Sequence, residues 1–167
     1  MSQRVVVVGG GGGGLGAAGG AKAVDPDAEV TVFTQFEDVA YSPCGIPFVH
    51  GKEIPSFEAL FLADKQAYVD AGIDIHYETT VTSIDPAARE IHVEGRGAVP
   101  FDSLVLATGF VYADPGVPGA DLDGLYYVKN IRAAMEWDKR LDSVKKAVVV
   151  EAGPLGIEMA TGLSHRG

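Results

Sequence analysis

The chain has 167 residues, 47% of them hydrophobic and 22% charged, with a formal net charge of −10 and a single cysteine, the composition of an ordinary globular domain and not of a disordered or fibrous chain. The acidity, with no basic cluster larger than Lys145–Lys146, argues against nucleic-acid binding, while one cysteine and four scattered histidines (His50, His76, His92, His165) argue against a disulfide framework or a structural metal. No apolar run has the length of a signal peptide or a bilayer span, so the expected location is cytoplasmic, with no membrane partner.

The first element is written in "RVVVVGGGGGGLGAAGGAKAV", beginning at Arg4. Four valines make the short apolar run of a buried parallel strand, and glycines follow without a gap. Gly9, Gly11 and Gly14 satisfy G-x-G-x-x-G, small residues continue to Ala21, and "EVTVF" at 29–33 supplies a second strand. In that order the motif has a mechanism. Gly9 makes the tight turn, Gly11 lets a pyrophosphate approach the backbone at the helix N-terminus, and Gly14 lets helix and strand touch. The place for an acid that would bind a ribose hydroxyl, at the end of the second strand, holds Thr34, with Glu37 the nearest substitute.

The stretch "YSPCGIPF" places Cys44 between Pro43 and Gly45. A lone cysteine is commonly a small buried hydrophobe. Flanking Pro and Gly instead predict a loop-to-helix junction, where unpaired N–H groups and the helix dipole favour thiolate. Both readings stand on the local residues alone.

Next come a helix near 64–71, a strand at 73–77, and strands near 79–84 and 89–94 joined by a turn in "SIDPAARE". "FDSLVLATGF" predicts a further buried strand ending at Thr108 and Gly109, and the Pro-, Gly- and Asp-rich "ADPGVPGADLDG" a crossover. A helix near 130–142 carries Met135 and Trp137 as packing residues, and His50, His76 and His92 are read the same way. At "KKAVVVEAGPLGIEMATGLSHRG" the opening pattern recurs: a valine strand, a turn and a helix, with Glu151, Gly153 and Gly156 in the fingerprint positions. Glu151 puts a carboxylate where a first glycine belongs, which repels a phosphate and resists positive torsions.

The stretches "VVVVGGGGGGLGAA", "EDVAYSPCGIPF", "LVLATG" and "VVVEAGPLGIEMA", in this order, resemble the flavoprotein disulfide reductases with two dinucleotide folds. They are most similar to the single-cysteine branch, which holds coenzyme A disulfide reductase, NADH oxidase, NADH peroxidase and the persulfide reductases. The resemblance implies an α/β, Rossmann-like FAD-binding domain, a parallel sheet with an inserted β-meander, cut at the start of a second nucleotide-binding domain. The expected parts are residues 1–112 for FAD, 113–144 for the crossover and helix, and 145–167 for the start of an incomplete NAD(P) domain.

It further implies FAD and NAD(P)H as cofactors and Cys44 as the redox thiol. Gly9, Gly11 and Gly14 would lie at the FAD pyrophosphate, Val81 at adenine, Thr108 and Gly109 near the flavin, and Gly153 and Gly156 in the second nucleotide turn. Thr34 stands in the ribose position. Lys22 is either a contact for a coenzyme A phosphate or a solvated helix charge. The implied reaction is reduction of coenzyme A disulfide or a related persulfide, with NADH oxidation by oxygen, or a non-catalytic flavin-binding fragment, as the alternatives. Gly12 stands where NADH peroxidases and many NADH oxidases carry a histidine, which favours disulfide or persulfide reduction. A complete version would be a homodimer.

Overall fold

The computed structural model describes residues 2–113 and 115–166; Met1, Asp114 of the crossover and Gly167 lie outside the described residues. In chain order the regular elements are β1 (Arg4–Val8), α1 (Gly12–Val24), β2 (Glu29–Phe33), α2 (Ile46–His50), α3 (Lys65–Asp70), β3 (Ile73–His76), β4 (Val81–Asp85), β5 (Glu90–Val93), β6 (Gly97–Pro100), β7 (Ser103–Leu106), α4 (Ile131–Leu141) and α5 (Pro154–Arg166). They fall into two units. One joins the chain up to Tyr41 with Ala63–Phe110, and the other joins Ser42–Leu62 with the chain from Val111 onward.

The first unit is built on a parallel sheet in the order β3-β2-β1-β7, with Val6 opposite Thr31 on one side and Leu104 on the other. The valine run succeeds as a central strand because both of its faces are covered. Val5 and Val7 join Leu15 and Ala18 of α1 with Val30, Val32 and Ile73 in one apolar cluster. Val6 turns the other way, onto Phe33, Ile91, Val93 and Phe101, where the antiparallel sheet β4-β5-β6 packs. The turn between β4 and β5 is formed as its sequence predicts: Asp85 Oδ1 accepts from the N–H groups of Ala87 (3.0 Å) and Ala88 (2.9 Å). α3 begins where Asp64 accepts from Ala67 N at 2.8 Å.

Three expectations for this first unit are corrected. The β-meander has a third strand, β6, beyond the two read from the sequence. β7, expected to be buried, lies at the sheet edge with its residues half-buried and Leu106 exposed. His92 does not pack: it points outward from β5, whose neighbours Ile91 and Val93 take the core side.

The second unit is helical. Cys44 sits in a short 3₁₀ turn, Pro43–Gly45, that runs directly into α2. A second 3₁₀ turn covers Phe57–Leu60. α4 starts at Asn130, whose Oδ1 accepts from Ala133 N at 2.9 Å, and it buries Ile131, Ala134 and Trp137. α5 packs on α2 backbone to backbone. A Cβ at Gly162 would lie 2.5 Å from Pro47 O, and one at Gly51 would lie 2.8 Å from the Gly162 Cα. The expected valine strand before α5 is absent. Residues 144–152 pair with no strand among the described residues, and Val148 and Val150 are each 80% exposed. A strand needs a neighbour for its N–H and C=O groups, which a local pattern does not supply.

Candidate functional site

At the carboxyl end of β1 the chain turns into α1 through glycines with separate jobs. Gly9 has φ +115°, and a Cβ there would lie 2.0 Å from Ala107 O, so both torsion and space require glycine. Its N–H donates to Phe33 O at 2.8 Å. Gly14 closes the turn, since a Cβ there would lie 1.8 Å from Gly9 O. Between them, Gly11 is the N-cap of α1 and accepts from Leu15 N at 3.0 Å. A Cβ added at Gly11 or Gly12 would meet nothing within 4 Å. No side chain caps the helix, so its first N–H groups look out over open space. Uncapped backbone donors with open space above them make a cradle that a pyrophosphate fits.

Thr34, Thr108 and Gly109 reach the same edge of the sheet. Thr34 is 3% exposed, with its hydroxyl oxygen accepting from Phe36 N (3.3 Å) and lying beside Gly10. Its backbone donates to His76 O and accepts from Thr79 N at 2.8 Å, which brings the start of β4, and so Val81, alongside. Ala107 N donates to Val8 O at 2.8 Å, holding the exposed pair Thr108 and Gly109 (φ +75°) next to the Gly9 turn. Lys22, in the last turn of α1, is held locally: its ammonium donates to Pro26 O (2.7 Å) and Ala28 O (2.9 Å), closing the loop after the helix.

In the second unit Cys44 is exposed. Ser42 N donates to Leu60 O at 2.8 Å, Gly45 N to Ser42 O at 3.2 Å, and a Cβ on Gly45 would press within 2.3 Å of Leu60 Cδ2. The thiol therefore stands on a supported turn and is not a core hydrophobe. The turn before α5 repeats the first one. A Cβ at Gly156 would lie 2.1 Å from Glu151 O, Gly153 is open, and Ile157 N donates to Gly153 O at 3.0 Å. Glu151 adopts φ +81° in the place of Gly9.

A third constellation escaped the sequence reading. His50 is fully buried, with Nδ1 3.0 Å from Asp138 Oδ1, and Arg166 Nη1 donates to that same oxygen at 2.6 Å. Its members stand 88 and 28 residues apart, so no spacing signals it. Among the described residues, no cluster of three or more His, Cys, Asp or Glu could hold a metal, and no helix is long and apolar enough to cross a membrane.

A family model described as pyridine nucleotide-disulphide oxidoreductase matches residues 3–167. The chain belongs to that family. Family members bind FAD, and the cradle at Gly9–Gly14 fits its pyrophosphate. An NADH oxidase of Methanocaldococcus jannaschii is 37% identical over 161 residues, which is 92% of this chain and 36% of that protein. An NAD(P)H coenzyme A polysulfide/persulfide reductase of Pyrococcus horikoshii is 32% identical, over 100% of this chain and 38% of that one. The solved structure of an NAD-dependent persulfide reductase from A. fulgidus is similar with a TM-score of 0.91 and 29% identity, covering 98% of this chain and 32% of that one. The chain thus spans about a third of the length of these relatives.

Proposed function

We propose that this chain is the FAD-binding, cysteine-bearing part of an NAD(P)H oxidoreductase that reduces coenzyme A disulfide or a related persulfide through Cys44. The observation that carries the reading is the exposed thiol on its supported turn, in a chain whose glycine cradle fits a dinucleotide pyrophosphate. Gly9, Gly11 and Gly14 would hold the pyrophosphate by backbone N–H groups. Val81 would meet adenine through its backbone, and Thr108 and Gly109 would stand by the flavin. Thr34, with its hydroxyl turned inward, would touch a ribose by its backbone at most, leaving the exposed Glu37 as the carboxylate nearest in sequence. Gly153 and Gly156 would serve the nicotinamide nucleotide at the second turn.

When bound, FAD supplies the relay of two electrons from the nicotinamide to sulfur. The work of Cys44 is thiol exchange. Its thiolate attacks one sulfur of the disulfide, expels one thiol and holds the other as a mixed disulfide, until two electrons from NAD(P)H release it and restore the thiolate. The resemblance to the M. jannaschii NADH oxidase favours a second reading in which oxygen takes the electrons and Cys44 passes through sulfenate. We also propose a cytoplasmic location, away from the membrane, and a homodimer for the complete protein.

The test is the absorbance spectrum of the purified chain after incubation with FAD and desalting, beside Cys44→Ser. Retained flavin with a long-wavelength thiolate-to-flavin band that the variant lacks is the expected result. A colourless protein overturns flavin binding by this chain, and a band unchanged in the variant overturns the role of Cys44.

A further inference from the structure

His50 ends α2, the helix into which the Cys44 turn runs, and none of its side chain is exposed. Asp138 can only accept, so the proton of the neutral imidazole lies on Nδ1. That leaves Nε2 a bare acceptor, without a hydrogen-bond partner among the described residues. Trp137 stacks on the ring at 6.1 Å between centroids, and Phe57 meets it edge-on at 5.5 Å. Arg166, with its side chain 8% exposed, donates to Asp138 Oδ1, to His50 O at 3.1 Å and to Asp142 Oδ1 at 2.9 Å. One carboxylate thus ties together α2, α4 and α5.

The charged groups that act on His50 are Asp138 of α4 and Arg166 of α5. Near them lie Asp142 just after α4, and Lys52 and Glu58 from the segment after α2, while His165 of α5 pairs with Glu53 of that segment at 3.2 Å. Asp138, Asp142, Arg166, Lys52 and Glu58 border a cavity of about 410 Å3 in this unit. A second proton on His50 would land on Nε2, among aromatic rings, with no acceptor and with the Arg166 guanidinium close by. Burial is the main cause that holds His50 below its ordinary range, and Arg166 adds to it against the opposing pull of Asp138.

The path from His50 to the cysteine is short. Phe57, which touches the ring, shares a 3₁₀ turn with Leu60. Leu60 in turn accepts the Ser42 N–H and packs against Gly45.

We propose that His50, Asp138 and Arg166 form a latch that holds the Cys44 turn while His50 is neutral and releases it when His50 takes up a second proton. The latch concerns the position of the turn and stands whether or not the chain is a reductase.

The chain carries its own probes, one tryptophan and one cysteine. Trp137 lies against His50, where an imidazolium quenches indole emission. Trp137 fluorescence and the rate of Cys44 alkylation would be followed from about pH 8 to about pH 5, in the wild-type chain and in His50→Asn. The asparagine keeps an N–H for Asp138 but does not titrate. The expected result is a fluorescence transition below pH 6.5 in the wild type alone. On the same midpoint, the ratio of wild-type to variant alkylation rates should depart from its alkaline value by about threefold or more. A flat wild-type fluorescence profile, or the same transition in His50→Asn, overturns the proposal. A fluorescence transition without the change in alkylation ratio overturns the link to Cys44. A coincident loss of far-UV dichroism also overturns it, because the whole chain would then be unfolding.

Discussion

Gly9 and Glu151 occupy equivalent places in two turns of the same design, and they differ in what lies above the Cβ position. At Gly9 the carbonyl of Ala107, from the residue that follows β7, occupies the space a side chain would need. At Glu151 the preceding segment pairs with no strand among the described residues, so a side chain is tolerated at the torsional cost of φ +81°. The two positions should therefore respond in opposite ways. Glu151→Gly relieves the torsion but gains freedom in the unfolded chain, and a net stabilisation of about 1 kcal/mol is expected, a rise of roughly 3 °C in Tm. Gly9→Ala combines a strained torsion with a clash and should cost at least about 3 kcal/mol. Paired thermal melts check both. A Glu151→Gly protein that melts lower than the parent would show that the carboxylate makes a contact worth more than the strain. On the proposed reading, in which the second turn takes the nicotinamide nucleotide, the same substitution removes a negative charge from that turn, and NADH binding there should tighten with it.

Elements were legible in the sequence wherever their cause was local. "VVVVGGGGGG" announced β1 and its turn because the strand period, the glycines and the helix start lie side by side. The Asp85 turn was legible for the same reason, and the Asp64 and Asn130 caps, which the sequence reading did not single out, are just as local: donor and acceptor stand two or three residues apart. "AVVVEAG" has nearly the same composition as the first run and forms no strand, because a strand is completed by a neighbour that no window contains. β6 was missed because Gly97 and Pro100 read as loop, whereas pairing of Ile91 with Val99 makes it a strand. The glycine cradle belongs to the legible kind and the His50 cluster to the other, as its partners come from three helices. The Asn130 cap is the plainest local cause to test. Asn130→Ala removes the acceptor for Ala133 N and should cost about 1 kcal/mol, read as a lower denaturant midpoint with an unchanged slope. Asn130→Asp should restore most of it, and a null effect in Asn130→Ala would mean that α4 is held by its buried face alone.

For the molecule as a whole, the two units carry different titrating locks and so should respond to acid in different windows. In the helical unit His50 is held below its ordinary range, chiefly by burial. A histidine that binds its proton more weakly in the fold than in the unfolded chain stabilises the fold above its unfolded value of 6.5, and that contribution is lost as the pH falls below it. In the sheet unit the lock is Arg4 with Asp102, which are joined by two guanidinium bonds at 3.0 and 3.1 Å and by the Arg4 N–H at 2.8 Å. Hydrogen bonds from Arg4 draw the Asp102 carboxyl down to about 2. A carboxylate shifted downward stabilises the fold above its unfolded value and loses that effect only as the pH falls toward the folded one. Between roughly pH 6 and pH 4, the helical unit should therefore weaken while the sheet unit keeps its lock. Amide hydrogen exchange, corrected for intrinsic rates, separates them. Protection in α2, α4 and α5 should drop first in the wild type, His50→Asn should abolish that early loss, and Asp102→Asn should reduce the protection of β1 and β7 above pH 4 without touching the helices. If all amides lose protection on one midpoint, the two units unfold as a single cooperative block and the separate locks do not govern its acid response.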